Sequence, residues 1–184
     1  MAGTALIVVD MLNPYDHEDA DKLIESVEQT IDPIRRLLDR AAGEDVDVIY
    51  VNDNYNDWNS SEEELARRAL DGRRGDLVEP ILPPEDASFV IKARHSIFYG
   101  TPLEHLLHER ELDHLVLCGQ VTEQCILYSA LDAYVRRFSV GVASDAVAHI
   151  DRSLADAALK MMERNMRAEI APAAACDLTV TAAT

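Results

Sequence analysis

Five short apolar runs punctuate the chain: TALIVV (4–9), VDVIYV (46–51), SFVI (88–91), HLVLC (114–118) and SVGVA (139–143). They are too short and too rich in branched residues for helices, and they are continuous rather than alternating. That is the pattern of strands covered on both faces. Between the runs, apolar positions recur every three to four residues, which predicts helices and therefore βαβ units in an α/β fold with a parallel sheet.

The first such stretch places Leu23, Ile24, Val27, Ile31, Ile34, Leu38 and Ala41 on one helix face. Pro33 lacks the N–H that a helix interior needs, so a kink or a second segment is expected there. Thr101-Pro102, a polar cap followed by proline at the first helical position, leads into a short helix carrying Leu103, Leu106 and Leu107. From Glu123 to Arg136 the sequence is apolar nearly all round, which predicts a buried helix. The last helix opens near Asp151 or Ser153 and is expected to turn Leu154, Ala158, Met161 and Met162 inward.

Two stretches stand outside this alternation. Asn52 to Asp76 is polar and charged, with a short helix expected over Glu62–Leu70, and reads as an excursion over one end of the sheet. The Ala/Thr-rich end, from about 172 to 184, reads as a fraying tail or as a strand resting on a partner subunit. With no internal repeat and no linker composition, residues 1–184 are expected to form a single domain.

Length agrees, since 184 residues suffice to bury roughly 70% of the unfolded chain's surface. Cys118, Cys125 and Cys176 cannot pair completely, and no Cys/His cluster has zinc-ligand spacing. The N-terminal apolar run is broken by Asp10 and has no basic leader, and no run approaches the roughly 20 residues that span a bilayer. A reducing, cytoplasmic setting is expected.

Charge narrows the partners. The 34 Asp and Glu against 17 Lys and Arg give a net charge of −17, which repels phosphate backbones and anionic membrane surfaces. Neither nucleic acid nor membrane is an expected partner. The charges are dispersed, as solubility requires, rather than gathered into a tail.

Ligands of open α/β sheets bind beyond the carboxyl ends of the strands. Asp10 ends the first run, Lys92 ends the third, and Cys125 follows the fourth through Gly119-Gln120-Val121-Thr122-Glu123-Gln124. At the start of a helix, Cys125 would meet unpaired N–H groups and the positive end of the dipole, which favour a thiolate. The alternative is a buried cysteine packing as a small hydrophobe. Asp10 alone reads equally as a cap on the next turn, and Lys92 as a lysine snorkelling to solvent. Lys92 gains weight because the chain has only three lysines, and an ammonium is a point charge suited to pairing with a thiolate.

The segments ALIVVDMLNPY, VIYVNDNYNDW, VIKARHSIFYGTPLEHLL and LVLCGQVTEQCILYSALDAYVRRFSVGVASDA together resemble the isochorismatase-like cysteine hydrolases, amidohydrolase branch, from end to end. The resemblance implies a Rossmann-like three-layer sandwich with a mainly parallel sheet of roughly six strands. It also implies an Asp–Lys–Cys triad, here Asp10, Lys92 and Cys125, and a cis peptide at Gln120–Val121. The backbone N–H groups of Val121 and Cys125 would then form an oxyanion hole. A homo-oligomer, no cofactor and a small amide, carbamoyl or lactam substrate are further implications.

Departures from other branches sharpen this. The pyruvate-releasing isochorismate hydrolases lack the cysteine that this chain has. Metal-binding nicotinamidases carry Asp and several His after the second strand, whereas NDNYNDWNSSEEEL contains no histidine, so no metal is expected. His95 lies three residues after Lys92 and offers a Cys–His alternative. Among the aromatics Tyr15, Tyr55, Trp58, Phe98 and Tyr99, the expected substrate contacts are Trp58, Tyr99 and Tyr15, with His95 beside them. Cys118 is read as a buried strand residue and Cys176 as a spectator. Two other classes remain open, a non-catalytic binding member of the fold and a thiol redox protein.

Overall fold

The computed structural model describes residues 3–179 and turns every one of the five apolar runs into a strand: β1 (Gly3–Val9), β2 (Asp47–Asp53), β3 (Ser88–Lys92), β4 (Leu112–Gln120) and β5 (Ser139–Ala148). A sixth, β6 (Glu169–Ala171), has no apolar run of its own and is fixed by parallel pairing with β5. The sheet order is β3-β2-β1-β4-β5-β6, and every neighbouring pair is parallel. This is the doubly wound, Rossmann-like α/β arrangement.

Alternation within β1 builds the layers. Leu6 and Val8 face one core with Leu23, Val27, Ile34 and Leu37 of α1 (Ala20–Glu44). Ala5, Ile7 and Val9 face the other, against α4 (Leu103–Glu109), α5 (Leu127–Val135) and α6 (Arg152–Met166). The excursion after β2 contains α2 (Glu62–Leu70), opened by a reciprocal Ser61/Glu64 capping box, and the short α3 (Gly75–Val78).

Several local expectations are corrected. Helix α1 runs unbroken through Pro33, which is itself buried; the apolar face on both sides, with Ile31, Ile34 and Leu37, outweighs the lost hydrogen bond. Pro102 is the N-cap of α4 rather than its first helical residue, and the Thr101 hydroxyl accepts from the Leu103 N–H at 3.4 Å. In α6 the Asp151 carboxylate accepts from Ser153 and Leu154 and sets the start, so Ala155, Ala158, Met162 and Met166 turn inward. Leu154 and Met161, each one residue before an inward position, are carried about 100° round to the outside. Helix α5 is only half covered, with Tyr128, Leu131, Tyr134 and Val135 exposed.

The C-terminal segment rests on its own chain. β5 bulges between Val142 and Val147, and Asp145 of the bulge accepts from the Ala173 N–H at 2.6 Å. Arg40 of α1 donates to the carbonyls of Ala173 and Cys176, while Ala173, Cys176 and Leu178 are buried. The last five residues of the expected tail, 180–184, lie outside the described residues. Among the described residues no helix is long and apolar enough to cross a membrane.

One glycine holds the sheet centre together. Gly119 pairs with Val9 of β1 at φ +110, and a Cβ there would overlap the Val9 carbonyl oxygen. Gly119→Ala therefore combines backbone strain with a clash that neither strand can relieve. It is expected to cost at least about 3 kcal/mol, read as a lowered urea midpoint or as failure to accumulate folded protein.

Candidate active site

The strand order reverses between β1 and β4, and the carboxyl ends of the strands around that switch point carry the candidate residues. Asp10 leaves β1 with φ 56, its N–H donating to Val51 O at 2.9 Å, and its own carbonyl accepting from Gln120 Nε2 at 2.5 Å. Beyond Gln120, a cis peptide to Val121 leads into a π-helical turn, Thr122–Ile126, which presents Cys125. Lys92 reaches across from the end of β3, two strands away. Its side chain, fully buried, places Nζ 2.8 Å from Asp10 Oδ2 and 3.6 Å from Cys125 Sγ. The three strand-end candidates are thus within contact of one another.

The strand that Lys92 crosses supplies a residue that sequence reasoning missed. Asp53 ends β2, registered beside Lys92, and its Oδ2 lies 3.4 Å from Lys92 Nζ. Its backbone N–H donates to Asp10 Oδ1 at 2.7 Å, so it touches both charges of the pair. Its Oδ1 accepts from the Tyr55 N–H. The available signal was a second strand-end carboxylate in VNDN, one strand from Asp10. Gln120, which anchors the Asp10 backbone, was likewise passed over.

Burial governs the electrostatics. It raises the Asp10 carboxyl above its usual range, although the Lys92 ammonium and the hydrogen bonds from Lys92 and Cys125 pull the other way. Burial alone would lower Lys92, but Asp10, the Cys125 sulfur and Asp53 together hold it charged, above the ordinary lysine range. The expectation of a depressed thiol pKa is corrected. Burial first and the Asp10 carboxylate second push Cys125 well up, outweighing Lys92 and the Val121 N–H directed at the sulfur. Burial and the facing carboxylate thus both favour the neutral thiol over the thiolate.

The expected substrate contacts divide. His95 stands at the site, with Nδ1 3.6 Å from Cys125 Sγ and its ring 5.4 Å from that of Tyr128. Trp58 is 80% exposed and Tyr99 66%, so both stand mainly in solvent. Tyr15 departs from expectation: the turn closed by Asn13 Oδ1 on its N–H carries the ring into the core, where it is fully buried and burial pushes its phenol up to about 12. An enclosed ring is not a pocket wall. Cys118 and Cys176 are buried and free, far into the core or under the tail. Among the described residues no group of three or more His, Cys, Asp or Glu side chains is placed to hold a metal ion.

Residues 4–175 match the Isochorismatase domain model. The chain belongs to the isochorismatase family. It is 32% identical over 169 residues to the isochorismatase family protein YaaI of Bacillus subtilis, covering 92% of this chain and 93% of that one. It is 27% identical over 174 residues to the ureidoacrylate amidohydrolase RutB of Agrobacterium fabrum, covering 80% and 76%. Among solved structures, N-carbamoylsarcosine amidase from Thermoplasma acidophilum superposes with a TM-score of 0.71 at 26% identity, covering 95% of this chain and 99% of that one. The family member described here is a hydrolase fold whose strand ends gather a carboxylate, an ammonium and a thiol.

Proposed function

We propose that this protein hydrolyses a C–N bond in a small non-peptide amide, carbamoyl or ureido compound through a thioester on Cys125. The observation that carries the reading is the contact of Cys125 Sγ with Lys92 Nζ, itself paired with Asp10. The names of two relatives, ureidoacrylate amidohydrolase and N-carbamoylsarcosine amidase, support the substrate class.

Asp10 accepts the thiol proton as the sulfur attacks the carbonyl, while Lys92 stabilises the thiolate character that develops. The tetrahedral oxyanion is held by the backbone N–H groups of Val121 and Cys125; one such donor is typically worth roughly 2.7–4 kcal/mol of barrier. Collapse breaks the C–N bond, and Asp10 returns its proton to the leaving nitrogen. Asp10 then takes a proton from water, whose oxygen attacks the thioester, and the released sulfur recovers the proton. His95, 3.6 Å from the sulfur, is the side chain placed to contact the substrate beside the thiol.

The thiol's high pKa speaks against the redox alternative, since peroxide reacts with thiolates. Incubation with a panel of ureido acids, carbamoyl amino acids and small amides, followed by acid quench and intact-mass measurement, tests the proposal. Ammonia release with an acyl adduct on the Cys125 peptide is expected. Sulfenic acid formed rapidly by peroxide, with no adduct from any panel member, would replace this reading by the redox one.

Asp53 acts here as a positioning residue. Its negative charge beside Asp10 raises the Asp10 pKa, and its carboxylate shares Lys92. Asp10 must be ionised to accept the thiol proton, so activity falls on the acid side through a macroscopic pKa that lies above the usual carboxylate value. In Asp53→Asn that acid limb is expected to move to lower pH, with a reduced kcat. A profile lowered uniformly at every pH would mean that Asp53 serves folding alone.

A further inference from the structure

Between the end of β3 and the start of α4 the chain runs from Ala93 to Pro102 without helix or strand, yet hydrogen bonds leave this segment little freedom. The Thr101 hydroxyl donates to the Ile97 carbonyl at 2.6 Å, and the Phe98 N–H donates to Ser96 Oγ at 3.1 Å. Two more bonds tie the segment to α5. The Ile97 N–H donates to the buried Ser129 Oγ at 3.1 Å, and Ser96 Oγ donates to Asp132 Oδ2 at 2.6 Å. A short bond from a hydroxyl to a carboxylate is charge-assisted and of the stronger kind.

Asp132 is the one charged residue within α5, and it is fixed in turn. Arg136, one turn further on, pairs with its carboxylate, donates from Nε to Glu104 at 3.0 Å and covers the Phe98 ring at 4.9 Å. Ser129, Asp132 and Arg136 follow one another at three and four residues, so a single stripe of the helix carries the whole clamp.

The clamp ends one residue short of His95. Helix α5 begins where the Cys125 turn stops, so one element carries the sulfur at its entry and, through Ser96, the imidazole. His95 Nδ1 stands 3.6 Å from Cys125 Sγ, with its ring 5.4 Å from that of Tyr128. Lys92, the other group touching the sulfur, is buried, whereas His95 is exposed. The imidazole therefore stands on the solvent side of the thiol, from which any electrophile must arrive. An exposed side chain on an irregular segment loses conformational entropy by staying there, and the bonds through Ser96 and Asp132 offset that loss. We infer that Ser96 and Asp132 are positioning residues that hold His95 over Cys125, where it screens the thiol until a substrate enters and then borders the bound substrate. The bordering role rests on the hydrolytic proposal; the screening stands without it.

Alkylation of Cys125 by iodoacetamide at one fixed pH, followed by peptide mass, reads the screening with no substrate present; Cys118 and Cys176 are buried. Ser96→Ala, Asp132→Ala and His95→Ala are each expected to speed alkylation by about threefold to tenfold, the usual net weight of one such contact. Ser96→Thr keeps the hydroxyl and is expected to restore the wild-type rate. Because the clamp acts through the imidazole, Ser96→Ala is expected to add nothing in a His95→Ala background. With a hydrolysed substrate in hand, Ser96→Ala is expected to raise KM by a similar factor and to leave kcat within about twofold. An alkylation rate that His95→Ala leaves unchanged or lowers, a Ser96→Ala effect that persists without His95, or a fall in kcat at constant KM would overturn the inference. Urea midpoints of the variants separate these outcomes from a general loosening of the fold.

Discussion

Cys125→Ala is expected to abolish turnover, lowering kcat/KM by at least on the order of 10⁴, while the protein stays folded. The size of the loss follows from what remains. Asp10 and Lys92 still form their ion pair, and the Val121 N–H still points into the site, but no atom is left to form the thioester. A water activated by Asp10 alone would have to attack an amide, a poorer electrophile than a thioester and without the step that divides the barrier. Stability should change little, because the sulfur makes no backbone hydrogen bond as donor and its replacement removes only a small side chain. Removing the thiol also removes one contributor to the raised charge state of Lys92, but Asp10 and Asp53 remain. Ammonia release by the variant within tenfold of wild type would overturn the thioester route and leave Asp10-assisted attack by water as the chemistry. Loss of release together with loss of the acyl adduct would support it.

On the proposed route, a thiol that burial holds toward its neutral form changes the order of events. A preformed thiolate would attack first and find its acid later. In the proposed route the sulfur gives its proton to Asp10 as it attacks, so attack and proton transfer would be coupled and the group would titrate as a unit rather than as three independent residues. The same route gives a charged Lys92 a task, since it would stabilise whichever partner, carboxylate or sulfur, carries the negative charge.

What could be read from the chain, and what could not, divides along physical lines. The five strands were legible because uninterrupted aliphatic runs admit few other conformations; the α2 helix was expected at its observed bounds, and the structure adds the Ser61/Glu64 capping box that starts it. β6 was not legible, since a three-residue strand is decided by its neighbour β5 rather than by its own composition. The inward face of α6 was read rightly at Ala158 and Met162 and wrongly at Leu154 and Met161, because a large apolar side chain next to an inward position looks inward in sequence. Strand-end position pointed to Asp10, Lys92 and Cys125, and resemblance grouped them. Asp53 was missed because its importance comes from Lys92 passing over the end of β2, a tertiary fact. The thiol's pKa was misjudged for a similar reason: the helix terminus is a local effect visible in sequence, whereas burial and the facing carboxylate are not.

Lys92→Met is expected to be the most damaging single change at the site, removing activity and destabilising the protein in a pH-dependent way. Methionine fills a similar unbranched volume, so the effect isolates the charge. In the wild type Lys92 is fully buried against Asp10 and Asp53, and breaking a buried pair by removing one partner costs about 3–5 kcal/mol because the other charge is left uncompensated. Two carboxylates would then face each other with no cation between them. Asp10 loses the interactions that lower its pKa and keeps the burial and the Asp53 charge that raise it. Its pKa therefore moves further up, and a smaller fraction is ionised to accept the proton of Cys125. The sign of the stability effect follows: a carboxyl whose folded pKa is raised favours the folded state at low pH, and that stability is lost as pH rises through the folded pKa. The penalty of Lys92→Met should be smallest in mild acid, where Asp10 is protonated, and largest at neutral and alkaline pH. In the wild type the raised Lys92 pKa contributes stability throughout this range, since it is lost only as pH rises through a value above that of an ordinary lysine. Urea midpoints of both proteins across mildly acid to mildly alkaline pH measure the difference. A penalty independent of pH would mean that Lys92 contributes packing and that the charge balance at Asp10 is set elsewhere.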